Sequence, residues 1–220
     1  MAIAILVGIK DKLVGTGFIA GVRDNVFAVV TALHSAGNGQ EFQIVLPPHF
    51  GDLSVPQQYP IQTAAALPAK FVLAEPLLDI AIFLVTQGNL RAPIPRFITS
   101  QNELKLGEDV LIVGYPFAVI GSFLETAELC NISALGNRIL PTGGSRHEFI
   151  VSHQTYIGSS GSPVIRKSDG IVCGIVRGCL APPGVISIGN LPLGTDSNVT
   201  YATSAHVIPQ LIDEAFSIGR

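Results

Sequence analysis

The 220-residue chain has no tryptophan and one methionine, and only 13% of its residues are charged. An average globular domain has roughly 25% charged residues. Lys and Arg total 13 against 16 Asp and Glu, giving a net charge of −3, and no basic cluster occurs. Nucleic-acid binding through an electrostatic footprint is therefore excluded as an expectation. The three cysteines, Cys130, Cys173 and Cys179, are an odd number without metal-ligand spacing. A disulfide framework and a metal site are not expected, and a reducing, cytoplasmic location is the default. No apolar run reaches the ~18 residues of a membrane span. The first nine residues are apolar but lack the basic start and cleavage-like end of a signal peptide, so they read as a strand.

What is abundant is apolar sequence. Hydrophobic residues make up 48% of the chain, which excludes disorder and leaves an apolar surface for docking or assembly. They fall in short runs punctuated by 23 glycines and 15 prolines. Strands are expected at 12–20, 26–30, 41–46, 71–74 and 80–85, with a long Pro- and Gln-rich surface loop over 47–68. The pattern lapses between 86 and 105 and resumes at 109–113, 125–133, 148–153, 163–166, 171–176 and 199–203. Only the end reads as a helix, about 205–216, with Val207, Ile208, Leu211, Ile212, Ala215 and Phe216 on one face. The chain is thus all-β, with two small antiparallel barrels: 1–90, a linker over 91–104, 105–203, and a C-terminal helical segment over 204–220.

Gly158-Ser159-Ser160-Gly161-Ser162-Pro163 lies between two apolar runs. A tight turn there lifts one hydroxyl off a sheet and aims backbone N–H groups at the same point, as acyl transfer needs. Alone, the stretch is as well read as an ordinary Gly/Ser loop. Upstream, Thr31-Ala32-Leu33-His34 closes one apolar run, and Asp79 opens another. Asp52 and Glu75 are rival carboxylates. Asp79 is preferred because the strand after it would pin it at a barrel edge. His49, His147, His153 and His206 have no comparable context.

His34, Asp79 and Ser160, in that order, resemble the trypsin-like serine proteases of the chymotrypsin fold. Gly15-Thr16-Gly17-Phe18-Ile19 is similar to the family's strand before the histidine, and Asp79-Ile80-Ala81 to its aspartate motif. Residues 106–116, 132–136 and 201–204 resemble the HtrA branch, and Ser160-Gly161-Ser162-Pro163 the glutamyl-endopeptidase branch. The resemblance implies two six-stranded Greek-key barrels and a serine endopeptidase needing no cofactor. In it Ser160 is the nucleophile, His34 the general base and Asp79 its orienter, and the N–H groups of Gly158 and Ser160 form the oxyanion hole. The substrate would be a peptide or protein, with a regulatory protein or homo-oligomer controlling access. The implied substrate pocket is lined by Gln154, Thr155, Val176, Arg177, Gly178 and Val199. None is a carboxylate, so basic side chains are disfavoured. Small apolar side chains are expected, with acidic ones the rival if His153 or Arg177 faces the pocket. Ser159 replaces the aspartate that pairs with a new N-terminus in trypsin, so activation by N-terminal insertion is not expected. Val176 or Arg177 replaces the small hydroxyl residue that often supports the aspartate, leaving Asp79 less well supported. The rival classes are a catalytically silent binding module on the same fold and an esterase.

Overall fold

The computed structural model describes residues 4–9, 12–36, 42–46, 65–86, 93–117, 124–140, 143–154, 156, 158–179, 186–188, 191–193 and 199–219. Six strands come first: β1 (Ala4–Ile9), β2 (Lys12–Arg23), β3 (Val26–Ala32), β4 (Phe42–Leu46), β5 (Ala65–Glu75) and β6 (Ile80–Thr86). They close into a barrel in the order β1-β2-β3-β6-β5-β4. Strands β7 (Asp109–Gly114), β8 (Thr126–Ile139), β9 (Ser145–Val151), β10 (Pro163–Arg166), β11 (Val172–Cys179) and β14 (Thr200–Ser204) close a second, in the order β10-β11-β14-β9-β8-β7. Between β11 and β14, β12 (Ile186–Ile188) and β13 (Leu191–Leu193) pair with each other. All the ladder pairings are antiparallel, and both barrels place their strands in the same relative order. The fold is the chymotrypsin-like pair of barrels.

The apolar runs of the first barrel are continuous because both faces of its strands are covered. Ile19, Val29, Phe42, Ile44, Ala81 and Phe83 form one cluster, with the Phe42 and Phe83 rings 4.7 Å apart. The alternate residues, Phe18, Val30, Ile82 and Leu84, belong to a different cluster that runs on into the second barrel. Side chains of period two thus serve the barrel's own core and the junction in turn. Burying each such Ile or Phe contributes about 1.5–3 kcal/mol.

Two elements are longer than their composition suggests. β5 starts at Ala65 and contains Pro68, which faces Gln43 of β4. Alanine and proline are weak strand formers, but residues 65–69 complete the ladder with β4 while 70–75 pair with β6. β8 runs to Ile139 because its far end pairs with β9 as far as Ser145.

The connection between the barrels is fastened down. Val172 donates its N–H to the Arg96 carbonyl and accepts from the Ile98 N–H, at 2.8 and 3.1 Å. Ser100 then caps a single 3-10 turn at Gln101–Glu103, with Glu103 returning the bond in a capping box. Helix α1 (Leu33–Ala36) is one turn directly after β3. Helix α2 (Ile208–Ile218) follows a second 3-10 turn at Ala205–Val207. It buries Ile208, Leu211, Ile212, Ala215 and Phe216, and it packs on β2, β3, β5 and β6 of the first barrel. Arg23 fixes it there, bonded to Asp213 at 3.0 Å with its guanidinium 4.8 Å over the Phe216 ring.

Candidate active site

His34 sits in α1, where β3 leaves the sheet, and its side chain is half-exposed. Asp79 ends the turn from β5 to β6, with φ at 59°. That left-handed conformation is uncommon for a side-chain-bearing residue, though aspartate tolerates it. Bonds from Leu78 N–H to the Glu75 carbonyl and from Leu33 N–H to the Asp79 carbonyl hold the turn. The carboxylate is thereby presented to the adjacent histidine.

Both Asp79 oxygens are used. The backbone N–H of His34 donates to Oδ1 at 2.9 Å, and Oδ2 stands 2.7 Å from His34 Nδ1. On the far side of the ring, Nε2 is 2.9 Å from Ser160 Oγ. Ser160 Oγ also lies 3.1 Å from the Arg177 carbonyl, so its one proton can turn between two acceptors. Burial pushes the Asp79 carboxyl up, but hydrogen bonds and charge from His34, helped by Arg177, outweigh this and hold it below the ordinary carboxylate range. The Asp79 side chain is thus a buried, ionised acceptor.

The serine loop is shaped by two positive-φ glycines, Gly158 at 112° and Gly161 at 87°. A Cβ on Gly158 would come 2.6 Å from the Tyr115 carbonyl, and one on Gly161 would run into the Thr16 carbonyl. Backbone bonds set the turn: Ser159 N–H to Tyr156, Gly161 N–H to Val176 and Ser162 N–H to Ser159. The N–H groups of Gly158 and Ser160 find no acceptor among the described residues.

The loop is anchored to the other barrel by Thr16, a fully buried residue of β2. Its N–H donates to the Ser160 carbonyl at 3.0 Å and its hydroxyl to the Gly158 carbonyl at 2.8 Å. The same oxygen accepts from the Tyr115 N–H at 3.0 Å, and Thr31 Oγ1 donates to the Thr16 carbonyl at 2.6 Å. Ser159 is also structural: its Oγ accepts from the Tyr156 N–H at 3.3 Å. Ser162 is buried with an unpartnered Oγ, in space left by the missing side chain of Gly114.

Two residues read from the sequence as pocket lining have side chains held by other partners. Val176 is fully buried in the hydrophobic core, on the inward face of β11. Arg177, one residue on, turns outward and is captured by two carboxylates. Its Nε donates to Asp79 Oδ2 at 3.1 Å and its Nη1 to Glu148 Oε1 at 2.8 Å. The expectation that Asp79 is weakly supported is corrected accordingly: a guanidinium takes the place of the small hydroxyl residue. His153, the other cation considered for an acidic pocket, is paired with Glu128. Gly178 follows at a bulge of β11 with open space where a side chain would be. Gln154 and Val199 are half-buried. Thr155, Asp52 and His49 lie outside the described residues. Glu75 accepts from the Leu77 N–H instead of meeting the imidazole. His147 and His206 face each other, ring centroids 5.5 Å apart.

Thr16 and the charged chain behind Asp79 escape a sequence reading. Arg146 bonds Glu148 and donates from Nη1 to the Leu77 carbonyl at 3.0 Å, within the turn that carries Asp79. The available signal was the spacing of Arg146 and Glu148, opposite charges two apart on one strand face.

A family model described as the trypsin-like peptidase domain matches residues 15–175, a span that includes His34, Asp79 and Ser160. The chain belongs to the trypsin-like peptidases. It is a serine-protease hydrolase, and peptides or proteins are its substrate class. No curated protein resembles the chain closely enough in sequence to be matched. Among solved structures, the Rv3671c protease of M. tuberculosis in an inactive form is 20% identical at TM-score 0.66, over 97% of this chain and 86% of that one. Its active form is 22% identical at TM-score 0.65, over 96% and 79%. An HtrA-type protease, AlgW, solved with a decapeptide, is 15% identical at TM-score 0.66, over 99% of this chain and 64% of that one. At such identities these likenesses speak for the fold of the peptidase, and its chemistry rests on its own residues.

Proposed function

We propose that the peptidase cleaves internal peptide bonds through an acyl-enzyme on Ser160. The observation that carries this is the unbroken chain Asp79 Oδ2–His34 Nδ1–His34 Nε2–Ser160 Oγ, at 2.7 and 2.9 Å, joining the two barrels. With the Nδ1 proton directed at Asp79, Nε2 accepts the Ser160 proton as Oγ attacks the scissile carbonyl. The oxyanion meets the N–H groups of Gly158 and Ser160. His34 then passes its proton to the leaving amine as the C–N bond breaks, and water repeats the cycle to release the acid. No step asks for a metal or organic cofactor.

Small apolar side chains are the proposed preference on the acyl side of the cut. Arg177 and His153 are each engaged by a carboxylate, which leaves neither to receive an acidic side chain. A substrate Lys or Arg would lose hydration with no ion pair in return from Gln154, Gly178 or Val199. A cytoplasmic location is proposed on three cysteines that lack disulfide or metal-ligand spacing, and control by a protein partner or by assembly on the low charged fraction of 13%.

A fluorophosphonate probe tests the chemistry. Labelling of the wild type and not of Ser160→Ala is the expected result. No labelling of the wild type under any condition would favour a silent binding module instead. A peptide library read by mass spectrometry tests the preference: cuts after Ala or Val are expected, and a profile dominated by Lys and Arg would refute it.

A further inference from the structure

Behind Asp79 lies a row of four ionic side chains whose signs alternate. Asp79 Oδ2 accepts from Arg177 Nε at 3.1 Å, Glu148 Oε1 accepts from Arg177 Nη1 at 2.8 Å, and Arg146 Nη2 meets that same Glu148 oxygen. The row crosses three elements: the β5–β6 turn, β11 and β9. It is largely out of water, with the side chains of Asp79, Glu148 and Arg146 exposed by 10%, 8% and 6% and that of Arg177 by 22%. Screening there is weak, so one charge removed from the row is felt at its end.

A guanidinium beside the triad carboxylate has two opposed effects. It fixes the carboxylate by a charge-assisted bond. It also competes with the imidazolium that Asp79 must stabilise, because both cations bond the same Oδ2. A bare arginine there would disfavour the charged histidine during catalysis. Glu148 offsets this, since it shares the guanidinium fork through Nη1. Arg146 in turn keeps Glu148 from standing unpaired in a buried site.

We propose that Arg177 is a positioning residue for the reaction and that Glu148, through Arg177, sets the pH range in which His34 accepts a proton. The proposal rests on the triad reading above. Other charged or titratable groups around this row are Glu75 of β5, held by the Leu77 N–H, and Arg138 of β8, whose charge reaches Arg146. His147 of β9 lines a cleft of about 370 Å³ together with Glu148. Burial, with the neighbouring Arg177 charge, holds the Arg146 pKa below its ordinary value against the pull of Glu148.

The test follows the downfield Nδ1 proton of His34 by NMR in a Ser160→Ala background, which needs no turnover, alongside the acid limb of kcat/KM in the active enzyme. Arg177→Ser removes a cation and is expected to move the titration midpoint up by about one pH unit. Glu148→Gln removes an anion at constant shape and is expected to move it down by a similar amount. The double variant should return close to wild type, because the two charges cancel. Arg177→Lys keeps the charge and loses the fork, so its midpoint should stay while kcat falls. Unmoved midpoints, or shifts of Arg177→Ser and Glu148→Gln in the same direction, would overturn the proposal. If Arg177→Ser does not fold, Glu148→Gln alone decides it by the direction of its shift. Midpoints that shift as expected in a chain that never hydrolyses peptides would sink the endopeptidase reading and leave this one standing.

Discussion

At the serine end of the triad the holding groups are neutral, and at the aspartate end they include a row of ions. Ser160 is placed by one backbone bond, from the Thr16 N–H to its carbonyl, and by the Thr16 hydroxyl on Gly158. Asp79 is placed by a backbone N–H, an imidazole and a guanidinium that itself binds another carboxylate. The difference follows from what each end must do. A neutral bond contributes about 0.5–1.5 kcal/mol net and hardly alters the field. An ion beside Asp79 alters the field strongly, and its sign has to be balanced nearby. Position can be fixed by either means, but only the ionic one also tunes a proton.

The largest effects should come from cutting the chain that joins the two ends. Ser160→Ala and His34→Ala are each expected to lower kcat by ~10⁴-fold or more, and the double variant by the same amount, since the two act as one unit. Asp79→Asn should lose ~10⁴-fold with the fold retained, because it favours the wrong imidazole tautomer. Steady-state kinetics on one peptide would check all of these, and wild-type turnover in Asp79→Asn would move attention to another carboxylate.

A smaller loss is expected when the neutral anchor is removed. Thr16→Val keeps the volume but strips buried partners from the Gly158 carbonyl and the Tyr115 N–H, a cost of about 1–3 kcal/mol. Urea unfolding of the purified variant should show the unfolding free energy fall by that amount, with the acid limb of activity unmoved.

The ionic end should show itself in acid. The folded carboxyl of Asp79 lies below its ordinary value of 3.8. Its stabilising share is therefore present above the unfolded value and is lost as pH falls through the lower, folded one. Stability of the wild type should drop more steeply below about pH 4 than that of Asp79→Asn, whose side chain does not titrate. Parallel curves would show that Asp79 carries no such share.

The smallest effect expected is none. Thiol reagents should leave the rate unchanged, because no cysteine belongs to the triad motifs and burial pushes the thiols of Cys130 and Cys173 up to about 12, where little thiolate exists at neutral pH. Chelators should do no more, since no group of three or more metal-ligating side chains occurs among the described residues. Activity lost to a chelator and restored by metal would contradict the mechanism.

How far the sequence could be read follows the same division. His34, Asp79 and Ser160 stand in motifs whose local wording, a strand end or a glycine-flanked turn, already states the geometry. Thr16 stood in plain view between two glycines, but its hydroxyl acts on a residue 142 positions away, and no local pattern encodes that. Arg177 was visible as a cation at the end of an apolar strand. Whether it faced a pocket or the triad depended on a bulge and on Glu148 of another strand. The length of β5 was hidden because its first residues are held by β4, not by propensity.

The placement of α2 means that the chain's last helix covers its first barrel. Ile212 and Phe216 lie over Gly21, and Leu84 reaches Gly219. During synthesis the barrel that carries His34 and Asp79 therefore waits, with that apolar face uncovered, until the second barrel has been made. A nick just ahead of Ile208 would leave every triad residue in the chain. Its damage would fall on the first barrel, and through Thr16 of β2 it would reach the serine loop as well.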